Sequence, residues 1–156
     1  MPKKRKALYV LADGGRARLV ERVPETGAFD TVQEIDGLDR LDALREAVRA
    51  DPAARVGPSG GPSSDTTGNE DPYRQAKADF AVEVAGAAVR AARARGCDGL
   101  ILVAPTRILA VLKDAVGPTT VFDSLDKDLT KTPDADLERW LTPLQRSVTR
   151  LVAGHD

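Results

Sequence analysis

Hydrophobic and polar positions along this chain follow two periods, and the places where one gives way to the other mark the elements. Ala7 to Ala12 is an apolar run ending in Asp13-Gly14-Gly15, which predicts a strand and a tight turn with Asp-Gly supplying the positive φ of a hairpin. Arg16 to Val23 then alternates. Ala17, Leu19 and Val23 fall on one side, and Arg16, Arg18, Val20 and Arg22 on the other. Pro24 to Gly27 reads as a second turn and Phe29 to Ile35 as a third strand, so the chain opens with an antiparallel meander. Leu38, Leu41, Leu44 and Val48 recur at helical spacing, predicting a helix over Leu38 to Ala50 that Asp51-Pro52 stops.

Residues 51–71 are dense in Gly, Pro, Ser and Thr and carry too little apolar surface to order themselves, so they read as a flexible loop. Asp71 is placed to cap the next helix with Pro72 at its first position. Phe80, Val84, Ala87, Ala88 and Ala91 would form its apolar stripe and Gly96 its end. Leu100 to Ala104 is uninterrupted apolar sequence, the pattern of a strand covered on both faces. Pro105 opens a helix whose Ile108, Leu109, Leu112 and Val116 face inward, and Gly117-Pro118 closes it. Thr119 to Phe122 reads as the last strand. Thr132 would cap a final helix carrying Leu137, Trp140, Leu141, Leu144, Val148, Leu151 and Val152 at 3.6-residue spacing. The order implies an α/β fold: a mixed sheet of a three-strand antiparallel meander plus two parallel strands, with covering helices, similar to the ribonuclease H-like order. Residues 1–156 are expected to form a single domain.

Composition narrows the function classes. A net charge of −1 gives no global attraction to nucleic acid or anionic membrane. The basic start, residues 1–6, reads as a solvated tail rather than a nuclear-import patch. One cysteine, Cys97, allows no intramolecular disulfide and fits a reducing compartment, and its role reads as packing. No run approaches the ~20 apolar residues of a membrane span, and no secretory signal follows the start, so a cytoplasmic location is expected.

Candidate chemistry is sparse. A two-metal nuclease needs several carboxylates around a phosphate, and Asp13 and Glu83 are available, but the Leu100 strand carries none. Asp13 then reads as a turn residue and Glu83 as a solvated helix position. The only histidine, His155, belongs to the tail, so no metal and no cofactor is expected. Arg16, Arg18 and Arg22 could touch phosphates or form a solvated row that protects an exposed strand, and the near-neutral charge favours the solvated row. Asp126, Lys127, Asp128 and Thr130 follow the carboxyl end of a strand, where open α/β sheets build sites. Arg107 follows the neighbouring strand, as an ion-pair partner for Asp128 or as half of an anion-recognising patch.

Four segments carry a resemblance: LADGGRARLVE, DFAVEVAGAAVRAA, LILVAPTRILAVLK and LDKDLTK. Together and in this order they resemble the bacterial host-attachment family, required for attachment to host cells. That family is in turn similar to the middle domain of the eukaryotic and archaeal peptide-chain release factor. The resemblance implies a loop tip at Gly60, Gly61 and Pro62, with proline where the release factor needs a catalytic glutamine and no backbone N–H to donate. It therefore implies a non-catalytic interaction protein, linked to host attachment through a ribosome, RNA or protein partner; the residues singled out above, Asp13, Arg16, Arg18, Arg107, Lys127, Asp128 and Thr130, are the expected binding residues. The alternative is a release-factor-like hydrolase acting on peptidyl-tRNA or another ester or phosphodiester. The sequence leaves the oligomeric state open, a homo-oligomer included.

Overall fold

The computed structural model describes residues 5–50 and 72–153. Gly60, Gly61, Pro62, Asp71 and His155, the 51–71 loop and the first four residues of the basic start lie outside the described residues. The strands are β1 (Ala7–Ala12), β2 (Arg16–Arg22), β3 (Phe29–Asp36), β4 (Gly99–Ala104) and β5 (Val121–Asp126). The helices are α1 (Leu38–Ala50), α2 (Pro72–Ala94), α3 (Thr106–Ala115) and α4 (Glu138–Ala153). The strands form one sheet in the order β3-β2-β1-β4-β5. The β1–β2 and β2–β3 pairs are antiparallel, and the β1–β4 and β4–β5 pairs are parallel. This is the mixed sheet the hydropathy pattern predicts.

Strands β1 and β4 are buried at every position, as unbroken apolar runs require when both faces are covered. On one face Leu8, Val10, Leu100 and Leu102 pack against Phe80, Val84 and Ala88 of α2 and Ile108, Leu109 and Leu112 of α3. On the other, Tyr9, Leu11, Ile101 and Val103 pack against Leu137 and against Leu141, Leu144 and Val148 of α4. The Tyr9 and Phe29 rings meet edge to face with centroids 5.1 Å apart. The Tyr9 hydroxyl donates to Gln145 Oε1, and burial pushes the phenol well above its usual range.

Several local expectations are corrected. The buried stripe of α2 is Phe80, Ala81, Val84, Ala85, Ala88 and Ala92, while Ala87 and Ala91 lie on its margin. The helix ends at Ala94, and Gly96 follows it in the left-handed region at φ 70°, as expected of a glycine just past a helix end. Neither Gly14 nor Gly15 adopts positive φ. The first turn is instead held by Asp13 Oδ1, which accepts the N–H groups of Gly15 at 2.8 Å and Arg16 at 2.7 Å. Strand β5 runs to Asp126 rather than stopping at Phe122, because Asp123 is satisfied within the fold: it accepts from Ser147 of α4 and from the Ser124 N–H. Thr132 does not cap the final helix. Pro133 leads into a 3-10 turn, Asp134–Asp136, and α4 starts at Glu138.

A pairing irregularity opposite Leu19 and Val20 leaves Val32 as an extra residue on β3. The bulge switches the strand's parity. Phe29 packs on the α4 side and Thr31 bonds Asp134 of the 3-10 turn, while Ile35 packs with the α2 and α3 cluster.

Candidate functional site at the carboxyl edge of the sheet

Because β1, β4 and β5 are parallel, their carboxyl ends share one edge, and β2 starts there because it is antiparallel to β1. Topology therefore brings Asp13, Arg16, Arg107 and the Asp126–Thr130 segment to the same end of the molecule. Backbone bonding fixes the segment: Lys127 N–H donates to Ala104 O at 3.1 Å.

Within this edge the polar side chains are largely spent on one another. Thr130 Oγ1 bonds Asp128 Oδ1 at 2.6 Å and Asp13 Oδ2 at 3.1 Å, and its N–H donates to Asp128 Oδ1 at 2.9 Å. Asp13 thus holds the β1–β2 turn with one oxygen and the distant DKDLT segment with the other. Thr130 is buried, so these bonds are shielded from water and satisfy groups that would otherwise be costly to bury.

Arg18 is not part of a solvated row. Its side chain is 11% exposed and reaches across the sheet face into the 129–134 loop. Nη1 donates to the carbonyls of Leu129 at 3.2 Å, Thr130 at 3.0 Å and Thr132 at 2.5 Å, so two hydrogens are shared among three acceptors. Nη2 pairs with Asp134 Oδ1 at 2.8 Å, and Nε approaches Thr31 Oγ1 at 3.3 Å. Asp134 also accepts from Thr31 Oγ1 at 2.7 Å and from the Thr31 N–H at 3.1 Å. Burial raises the Asp134 pKa, but the two Thr31 bonds and the Arg18 charge outweigh it and leave the carboxyl below its usual range. Alternation reads Arg18 as solvent-facing because the loop that covers it lies 111 to 116 residues further on.

The outward-facing groups are fewer. Arg16 is exposed and, with Arg18, Glu34, Asp36 and Thr130, lines a hollow of about 280 Å³. Arg107 is exposed in the first turn of α3, and no hydrogen bond or ion pair joins it to Asp128 among the described residues. The β4–β5 connection is made instead by Thr106 Oγ1, 2.6 Å from Asp126 Oδ2. Lys127 Nζ lies 4.2 Å from the centroid of the Trp140 ring. Lys77 of α2 lies over the β1–β2 turn so closely that a Cβ on Gly14 would sit 2.7 Å from its Cδ.

Sequence reasoning missed Asp134, Thr31, Lys77 and Trp140. Trp140 falls in the apolar repeat of α4 and reads as core, yet it is only half-buried and carries Arg139 at 5.5 Å as well as Lys127. Its adjacency to Arg139 was the available signal. Cys97 is half-buried with its thiol pKa raised, mainly by burial, which accords with a packing role. Among the described residues no group of three or more His, Cys, Asp or Glu is arranged to hold a metal ion, and no helix is long and apolar enough to cross a membrane.

A search of curated proteins finds no match to this chain. Residues 8–141, from β1 through the first turn of α4, match the model of a family described as protein required for attachment to host cells. That span takes in both strand groups, the Asp13 turn, the DKDLT segment and Trp140, and by it the chain belongs to the family of proteins required for attachment to host cells.

Proposed function

We propose that this protein is a non-catalytic interaction protein whose carboxyl sheet edge holds a partner, and that its link to host attachment runs through that partner. The observation that carries the reading is the division of labour at the edge. Asp13, Arg18, Asp128 and Thr130 bond one another and the backbone, which makes them a rigid scaffold. Arg16, Arg107 and Lys127 are left as the groups available to a ligand. Side chains bonded to one another in this way are suited to positioning a surface rather than to moving protons. The same reading treats the sheet as ribonuclease H-like, the chain as one cytoplasmic domain and the partner as ribosome, RNA or protein.

The test is an affinity pull-down from the native cell with the wild-type chain and with an Arg16→Ala, Arg107→Ala, Lys127→Ala triple variant, each with and without ribonuclease. The reading expects a partner recovered by the wild type and lost by the variant, at unchanged circular dichroism. Ribonuclease-sensitive recovery identifies an RNA or ribosome partner, and insensitive recovery a protein. Equal recovery by the two chains overturns the assignment of this edge.

A further inference from the structure

The chain's single tryptophan sits where α4 meets the carboxyl edge, half-exposed and flanked by two cations. Lys127 Nζ stands 4.2 Å from the ring centroid and Arg139 Cζ 5.5 Å. Neither cation has a carboxylate partner among the described residues. Two cations lie against one indole, each attracted by the ring quadrupole and neither held in an ion pair among the described residues. Both cations are therefore available to a bound anion.

Arg139 also borders an open hollow of about 520 Å³ with Asp136, Glu138, Thr142 and Arg146. The two carboxylates there repel a bare anion but accept hydrogen bonds from hydroxyl and amino groups. A ligand matching all three features has a flat aromatic ring, a sugar or amine edge, and a phosphate.

We propose that Trp140, Lys127 and Arg139 form a nucleotide-binding subsite, with the base stacked on the indole and the phosphate held by the two cations. The inference rests on the carboxyl-edge surface proposed above and names the ligand chemistry of one end of it. Base–aromatic stacking is stronger than an exposed cation–indole contact, so the base displaces the Lys127 ammonium from the ring and the ammonium turns to the phosphate. The nucleotide could be free or part of a single strand, and the experiment separates the two.

Because Trp140 is the only tryptophan, its intrinsic fluorescence reports on this subsite alone. The full chain is titrated at low salt with a single-stranded oligonucleotide of about twelve residues, with adenosine monophosphate and with inorganic phosphate. Saturable quenching by the oligonucleotide or the mononucleotide, and not by phosphate, supports the subsite. Quenching by the oligonucleotide alone assigns a strand as the source, and equal per-nucleotide affinity assigns the free nucleotide. Lys127→Gln and Arg139→Gln, which keep the fluorophore, should each weaken binding roughly three- to tenfold and lower the salt slope by about 0.7. Equal quenching by inorganic phosphate, no quenching by either nucleotide ligand, or unchanged affinity in both variants overturns the proposal. Any of these results, obtained while the triple variant still loses its partner, would leave the broader edge assignment standing.

Discussion

Arg18→Ala removes in one substitution the hydrogen bonds that tie the 129–134 loop to β2, three carbonyl contacts and the Asp134 pair, together with the Arg18 contact with Thr31 of β3. A hydrogen bond from a charged donor contributes about 1.5–3 kcal/mol where its partner stays dry. Here the full sum is not expected. Asp134 is 42% exposed and regains water, so most of its share is recovered, whereas the carbonyls of buried Leu129 and Thr130 stay shielded and account for most of the loss. A net loss of about 3 kcal/mol remains, at the upper end for a single substitution. For a chain of this size it corresponds to a fall of roughly 6–12 °C in Tm. Arg16→Ala, at an exposed position two residues away, should stay within about 0.5 kcal/mol. Arg18→Lys should lose about half as much as the alanine variant, because one ammonium cannot span the carbonyls and the carboxylate together. Urea unfolding followed by circular dichroism reads these values, with the m-value unchanged. A double-mutant cycle with Asp134→Asn should return about 1 kcal/mol of coupling. Equal midpoints for Arg18→Ala and Arg16→Ala would refute the reasoning and return Arg18 to the solvated row.

Two further outcomes follow from the same structure. Asp134 and Glu21 both have lowered pKa values, Glu21 chiefly through its hydrogen bond from Arg95. A depressed folded-state pKa contributes stability that is complete above the ordinary carboxylate range and is lost as pH falls through the folded value. Asp134→Asn should therefore destabilise more near neutral pH than at about pH 3, and a gap in urea midpoint that widens in acid would contradict this. Gly37→Ala places a Cβ 2.5 Å from the buried Phe80 ring and should cost about 1–3 kcal/mol. Gly86→Ala, in mid-helix, meets only the tip of Arg90 at 3.3 Å and should raise stability by about 0.5–1 kcal/mol, so thermal melts of the pair should move in opposite directions.

Where an element's identity follows from its own residues, the sequence was a sufficient guide. Gly99–Ala104 and the inward face of α3 are apolar because of what covers them, and a strand covered on both faces has no other pattern to show. The ends of α1 at Leu38 and Ala50 were legible for the same reason. What could not be read depends on residues distant in the chain. Asp123 looks like a strand terminator until Ser147 is brought beside it. Arg18 looks solvated until the 129–134 loop closes over it. Trp140 looks like core because its spacing is right, although its ring lies on the edge of the packed face with Lys127 against it. The DKDLT segment was visible as a site candidate; that Asp128 and Thr130 within it, with Asp13 and Arg18, are occupied as scaffold was not.

The two faces of the sheet are completed at different moments of synthesis. When Asp126 is made, all five strands and the helices of one face exist, while Tyr9, Leu11, Val20, Phe29, Ile101 and Val103 still lack the residues that cover them. Only when residues 127–148 follow can Arg18 grip the loop and Leu137, Leu141, Leu144 and Val148 seat on that face. A chain in which residues 127–148 have not yet seated presents a broad apolar sheet to its surroundings, the kind of surface that chaperones hold and that drives aggregation. The seating of residues 127–148 therefore decides whether this face of the sheet is a closed core or a sticky surface.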